Sequence, residues 1–188
     1  MIWCMEEPRQ RHWRNRAQGG DSVFITTTCL DFVHALDRMD IKDAMCQFTF
    51  SHCKKHHARL AAFVVMSHHL HLLVRLGEHQ PVTDFMREFK RRSSSLIRPM
   101  LARSKDREFD MQRGLNRNAF WQRSFRSVVV LSEEVFRQEA HYIHLNPVRA
   151  ELVAQPDEYR WSSAWIWNAG LYEEELGLPL DMDWPSET

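Results

Sequence analysis

Two histidines one residue apart, His69 and His71, are the most chemically suggestive pair in this 188-residue sequence. In a β-strand, residues i and i+2 project from the same face. The stretch from His69 to Leu76 alternates strictly, with Leu70, Leu72, Val74 and Leu76 on one side and His69, His71, Leu73 and Arg75 on the other. Two parallel imidazoles are natural ligands for a divalent cation, because neutral imidazole is the commonest protein ligand for transition metals. A lone histidine is usually structural or incidental; a His-Leu-His triplet inside an alternating strand is more specific. The other histidines read differently. His52, His56 and His57 fall on a polar, basic helix end that suits a solvated surface, and His68 falls in a turn.

A second candidate lies in the segment His141 to Pro147. Phe136, Ala140 and Ile143 recur at i, i+4 and i+7, which defines the buried stripe of a helix. Tyr142 and Asn146 then sit only about 40° apart on the flank of that stripe. A phenol, which can serve as a covalent nucleophile, and an amide oxygen thus project together at the rim of the core. The residues alone leave a plainer reading open: rim tyrosines are common, and Asn146 before Pro147 suits the N-cap of a short following helix. The third feature is a run of cations, Arg87, Lys90, Arg91 and Arg98, on one helix. Such residues suit phosphate contacts, although a charged run on a helix is more often a solvated face. Trp121 and Phe125, with Arg123 between them, add rings and charge that could meet single-stranded nucleic acid.

These residues need elements to hold them. Ser22 to Cys29 is rich in β-branched residues and predicts a first strand. Asp40 to His56 predicts a helix with Asp40 as its N-cap. Leu60 to Met66 is an almost unbroken apolar run, as expected of a strand covered on both faces. Only Ser67 and His68 separate it from the alternating strand, so the two form a hairpin. Pro81 opens a second helix whose apolar stripe is Val82, Phe85, Met86, Phe89, Leu96, Ile97 and Met100, with Pro99 ending it. Phe125 to Leu131 predicts a fourth strand. Ser132 caps a third helix, with Glu133 and Glu134 in its first turn, and that helix stops at Asn146-Pro147. The order β-α-β-β-α-β defines an α+β, ferredoxin-like antiparallel sheet with helices on one face and C-terminal helices following. That plan serves many functions, so the site must decide.

The formal net charge is zero, but it is unevenly distributed. Residues 1–150 hold 24 basic and 16 acidic side chains, whereas residues 151–188 hold one basic and nine acidic. A basic body with an acidic tail points to a polyanion partner for the body, or to a tail that balances it for solubility. The length suits one domain, expected at 22–170, preceded by a basic arm at 1–21 and followed by an acidic tail at 171–188. No apolar stretch approaches a membrane span, and the first residues lack the apolar run of a secretory signal. Cys4, Cys29, Cys46 and Cys53 include no C-x-x-C pair, which argues against a disulfide framework or zinc ribbon and for a reduced, cytosolic setting.

Taken together, the segments resemble a known family. Phe63-Val-Val-Met-Ser-His-His-Leu-His-Leu-Leu-Val74 resembles the signature strand pair of the single-tyrosine HUH transposases, named for His-hydrophobic-His. Tyr142-Ile-His-Leu-Asn-Pro-Val-Arg-Ala150 resembles the tyrosine helix of one branch, the REP-associated tyrosine transposases. Phe120-Trp-Gln-Arg-Ser-Phe125 and Tyr159-Arg-Trp-Ser-Ser-Ala164 fit the same branch. The resemblance covers roughly residues 20 to 170 and departs at the hairpin turn, where Ser67-His68 replaces the usual Pro-Asn.

The resemblance implies Tyr142 as nucleophile, His69 and His71 as metal ligands, Asn146 as a third polar ligand, and the helix around Lys90 as the family's basic helix. It implies a DNA transposase and endonuclease that cleaves and rejoins single strands through a 5′-phosphotyrosine. Mg²⁺ or Mn²⁺ suits that chemistry better than structural zinc, since no cysteine sits near either segment. The expected partner is single-stranded or hairpin DNA, such as REP-like palindromes, and the expected setting is the bacterial cytoplasm at the nucleoid, with no membrane. Leu131 leads directly into Ser132, which favours a site complete within a monomer over a swapped dimer. Two other readings stay open: an inactive single-stranded nucleic-acid-binding module on the same fold, and a metal-dependent phosphoesterase without a covalent step. From the basic body, binding to single strands should weaken steeply with salt, by a logarithmic slope of ~0.7 per phosphate contact. Replacing Lys90 and Arg91 with Ala should lower that slope by about one to two, as salt titrations of affinity would measure.

Overall fold

The computed structural model describes residues 16–102, 119–174 and 176–181. These residues form a four-stranded antiparallel sheet in the order β2-β3-β1-β4, from β1 (Ser22–Thr28), β2 (Arg59–Val65), β3 (His69–Arg75) and β4 (Arg126–Val129). Two helices cross between strands, α1 (Met39–Lys55) and α2 (Val82–Ala102). A third, α3 (Glu133–Arg149), follows β4, and a short α4 (Ala164–Asn168) lies beyond it. The mixed α+β, ferredoxin-like arrangement expected from the sequence is therefore present.

Strand alternation divides the sheet into two apolar layers. Val23 and Ile25 of β1, Phe63 and Val65 of β2, and Leu70, Leu72 and Val74 of β3 pack with Ile41 and Met45 of α1 and Phe85, Met86 and Phe89 of α2. The crossover helices share that face. The other layer joins Phe24, Ala62, Val64 and Leu73 to Ala140 and Ile143, so α3 covers the opposite face. Ala61 and Ala62 lie in this second layer, and small side chains there let the helix approach the strands closely. The sheet is thus covered on both sides, and the face bearing His69 and His71 is the one under α3.

Three boundaries differ from the sequence expectation, each for a local reason. Arg38, not Asp40, occupies the N-cap of α1; Asp40 lies in the first turn and pairs with the Arg38 guanidinium at 2.6 Å. Pro99 lies inside α2 rather than ending it, and Leu96, assigned to the apolar stripe, is 40% exposed. Ser93 takes the buried position instead. Finally, α3 continues through Pro147 to Arg149, so Asn146 caps no following helix. The N–H that Pro147 lacks would have bonded the Ile143 carbonyl. The Asn146 Nδ2 instead donates to the carbonyls of Tyr142 at 2.8 Å and Ile143 at 3.5 Å, so an amide side chain replaces the missing donor. At the start of α3, Ser132 Oγ accepts from the Val135 N–H, as expected of the cap.

The outer edge of β2 would expose unpaired backbone groups. The segment 159–164 covers it. Val65 N–H donates to Trp161 O and Ser163 N–H to Phe63 O, while Phe63 N–H donates to Ser163 Oγ at 2.9 Å. The Tyr159 hydroxyl donates to Val65 O, also at 2.9 Å. Farther along, Leu178 is buried and its N–H donates to Leu60 O, and Asp181 pairs with Lys54. The described part of the acidic segment therefore lies against the domain. Among the described residues, Cys29, Cys46 and Cys53 are buried free thiols.

Two histidines prove structural. His52, expected on a solvated surface, is 1% exposed, with Nε2 on the Phe85 carbonyl and rings of Phe48, Phe85 and Phe89 around it. His144 is buried under α3, with Nε2 2.7 Å from Ser163 Oγ. Burial pushes the pKa of each down to about 4, so both are neutral in the fold and protonate on unfolding. Stability should accordingly be full above about pH 6.5 and fall as the pH drops towards 4, by about 1.4 kcal/mol per pH unit for each histidine. Urea unfolding at a series of pH values checks this; a flat profile from pH 7 to 5 would contradict it.

Candidate active site

The antiparallel register of β1 and β3 sets Thr28 opposite His69, Thr26 opposite His71 and Phe24 opposite Leu73. His71 is nearly buried, stacked on Phe24 with ring centroids 5.4 Å apart. Its Nδ1 lies 2.9 Å from Thr26 Oγ1. The side chain of Asn146 lies close enough to the same imidazole to act on its titration. His69 is half-buried, 4.8 Å from the ring of His71, and its Nδ1 lies 3.1 Å from His68 Nε2. Each imidazole is therefore held through Nδ1 by a neighbour, which orients the ring and directs Nε2 elsewhere.

Electrostatics keep both rings neutral. Burial, reinforced by the neighbouring His68, lowers the pKa of His69 to about 4. Burial and the adjacent His69 lower that of His71 to about 3, although the Asn146 side chain, which favours the protonated ring, opposes the shift. A neutral imidazole retains the lone pair that a metal needs.

Tyr142 comes from the other side of this layer, on α3. Its ring meets His71 edge-on at 5.5 Å and Phe24 at 5.9 Å, and the side chain remains 38% exposed. The Arg149 guanidinium lies over the phenol ring at 5.0 Å. Tyr142, Asn146, His69 and His71 of one chain are thus brought together, as the sequence led one to expect. Arg126, cross-strand neighbour of Thr26, supplies a further cation whose field acts on His71 and on the half-buried Glu139. Thr26, Phe24, Arg126 and Arg149 were missed from the sequence; only the strand alternation of β1 could have signalled the first two.

The candidate nucleic-acid residues divide. Trp121 does not form a binding surface: it is 3% exposed, its indole N–H donates to Ser93 Oγ, and it bridges to Cys29 at the end of β1. An indole with its one donor satisfied in the core has no face left for a base. Lys90 is committed as well, since Nζ donates to the carbonyls of Gln122 and Ser124 and lies over the Phe125 ring. It holds the 122–125 segment onto α2. Arg87 and Arg91 are exposed, beside a cleft with His56, Asp84 and Glu88, and Arg87 pairs with Asp84. Arg98 is half-buried and Arg123 exposed. Because α2 packs on the face of Leu70, Leu72 and Val74, its cations are not gathered around the imidazoles.

Among the described residues, no group of three or more His, Cys, Asp or Glu side chains is placed to hold a metal ion. The donor set is two neutral imidazoles and an amide, which suits a divalent cation that keeps several waters. No helix among the described residues is long and apolar enough to cross a membrane.

A His-hydrophobic-His strand and a helix-borne tyrosine meeting on one face of a ferredoxin-like sheet define the HUH class of transposases. The family model for IS200-like transposases matches residues 28–146, and the chain belongs to that family. Among solved structures, a REP-associated tyrosine transposase bound to a REP hairpin shares the fold with a TM-score of 0.62 and 18% identity, over 97% of this chain and 93% of that one. A candidate transposase from Deinococcus radiodurans R1 aligns over 73% of this chain and 95% of its own, with 16% identity and a TM-score of 0.48. No curated protein matches the sequence.

The commitment of Lys90 alters what its removal should do. Lys90→Met leaves two carbonyls without their donor and should cost about 1–3 kcal/mol of stability in urea unfolding. Its effect on the salt slope of DNA binding should be small beside that of Arg91→Ala.

Proposed function

We propose that this transposase cleaves and rejoins single-stranded DNA through a covalent bond between Tyr142 and a 5′-phosphate. The observation that carries the reading is the meeting of Tyr142 with His71 within one chain, at 5.5 Å between rings, on a face where both imidazoles are held neutral. His69, His71 and the Asn146 oxygen would hold Mg²⁺ or Mn²⁺, with Thr26 and His68 keeping the rings turned for it. A cation held there would supply neutralisation of the charge on the scissile phosphate.

The chain's own residues do the rest. A phenol is a weak nucleophile until it loses its proton, and Tyr142 is half-exposed, so substrate can reach it. The cation of Arg149 over its ring favours the developing phenolate and, with Arg126, attracts the phosphate. Attack by the phenolate oxygen forms the P–O bond to tyrosine and expels the 3′-oxygen, which leaves as a 3′-hydroxyl on taking up a proton. A second strand's 3′-hydroxyl reverses the step, so no ATP is consumed. Arg87, Arg91, Arg98 and Arg123 serve as more distant phosphate contacts that steer the strand. The hairpin held by the structurally similar transposase suggests hairpin-bearing DNA as the partner here, acting on a monomer in the bacterial cytoplasm.

Incubation of the protein with hairpin-bearing single strands and Mn²⁺ should give a denaturant-resistant protein–DNA band. Tyr142→Phe should abolish that band and leave DNA affinity and thermal stability nearly unchanged, because it removes one hydroxyl from a rim ring. A persistent adduct in the variant would reassign the nucleophile.

A further inference from the structure

The connection between β1 and α1 carries a backbone conformation that nothing in its composition requires. Asp31 and Phe32 both adopt left-handed φ, 54° and 56°. A bulky residue takes that conformation only where its surroundings over-determine it, and such positions concentrate at functional sites. The consequence is an aromatic ring held outward: Phe32 is 62% exposed and belongs to neither apolar layer.

Its ring has a specific neighbour. Phe32 lies 6.1 Å from His68, and the exposed His34 stacks on His68 at 5.2 Å with 18° between the planes. His68 in turn contacts His69, with ring centroids 4.5 Å apart. A continuous series of rings therefore runs from a proposed metal ligand out to solvent. Beside it, His34 and Ser67 border a groove of about 570 Å³ that Trp161 also lines, which gives a nucleotide room.

We propose that Phe32, His34 and His68 form a stacking platform for one unpaired nucleobase next to the scissile phosphate. The inference rests on the reading of the site as one that cleaves single strands, and it deepens that reading by saying how the strand is placed. Every base presents a π face, so exposed rings hold single-stranded DNA without regard to sequence, whereas a duplex keeps those faces covered. A base seated here would bring its own phosphate towards His69, His71 and Tyr142 rather than past them.

The test uses full-length Tyr142→Phe protein, which leaves the strand intact, and a DNA hairpin with short unpaired flanks on both sides. A single abasic site is moved through the flanks one nucleotide at a time, and affinity is read by fluorescence anisotropy in Mg²⁺. One position, or two adjacent ones, should lose affinity by about 5- to 20-fold when the base is removed. Adding Phe32→Leu and His34→Ala should cost a similar factor with intact DNA and erase the abasic effect at that position, while Phe32→Trp should preserve it. A flat scan, or an abasic loss that persists unchanged in the double variant, overturns the platform. The wild-type adduct assay is run on the same strands. An adduct together with a flat scan removes the platform alone, whereas no adduct with any strand removes the cleavage reading and the platform with it.

Discussion

The pairing that sets Thr26 opposite His71 is the constraint on which the site depends. Side-chain direction in a sheet has a period of two, so a slip of one residue between β1 and β3 would exchange the faces of every residue involved. The imidazoles would then enter the layer of α1 and α2, and Leu70, Leu72 and Val74 would face α3. Burial of those three side chains makes the slip prohibitive, so the hydrophobic core enforces the register and the register aims the histidines. The hydrogen bond between Thr26 and His71 adds orientation to a placement that apolar burial has already secured.

The second requirement is a helix brought close to that face without sealing it. Ala62 and Val64 beneath Ala140 and Ile143 allow the approach, and the ring of Phe24 packs against both His71 and Tyr142. Asn146 then performs two tasks. Its Nδ2 replaces the donor lost at Pro147, which keeps α3 helical, and the same bonds turn the rest of the amide towards His71. A helix that ended at residue 145, as a proline rule suggests, would have released the amide from His71 and Arg149 from the phenol.

Several residues that sequence patterns group with function are architectural here. Trp121 and Lys90 fasten the 121–125 segment to α2, and Tyr159, Ser162 and Ser163 close the exposed edge of β2. His144 ties α3 to that closing segment through Ser163, which places the edge cover and the tyrosine helix in one unit. Loss of these contacts would reach the chemistry through position, without any direct contact with the reacting atoms.

The sequence by itself determined which face each strand presents, the order of strands and helices, and that His69 with His71 and Tyr142 with Asn146 each share a side. Those are consequences of fixed periods, two for strands and 3.6 for helices, and they need no knowledge of distant contacts. It also showed a basic body, but not which cations lie near the imidazoles. The tertiary structure decided that α3 covers the histidine face, that Trp121, Lys90 and His52 are interior or tethered, and that Thr26, Arg126 and Arg149 attend the site. It also decided that two helices run through their prolines. Each of these turns on partners far apart in the chain: the carbonyls around Lys90, the serine that receives the Trp121 N–H, the strand opposite His71. Local spacing carries no record of such partners, because the free energy of satisfying a buried polar group is settled only when the elements have packed.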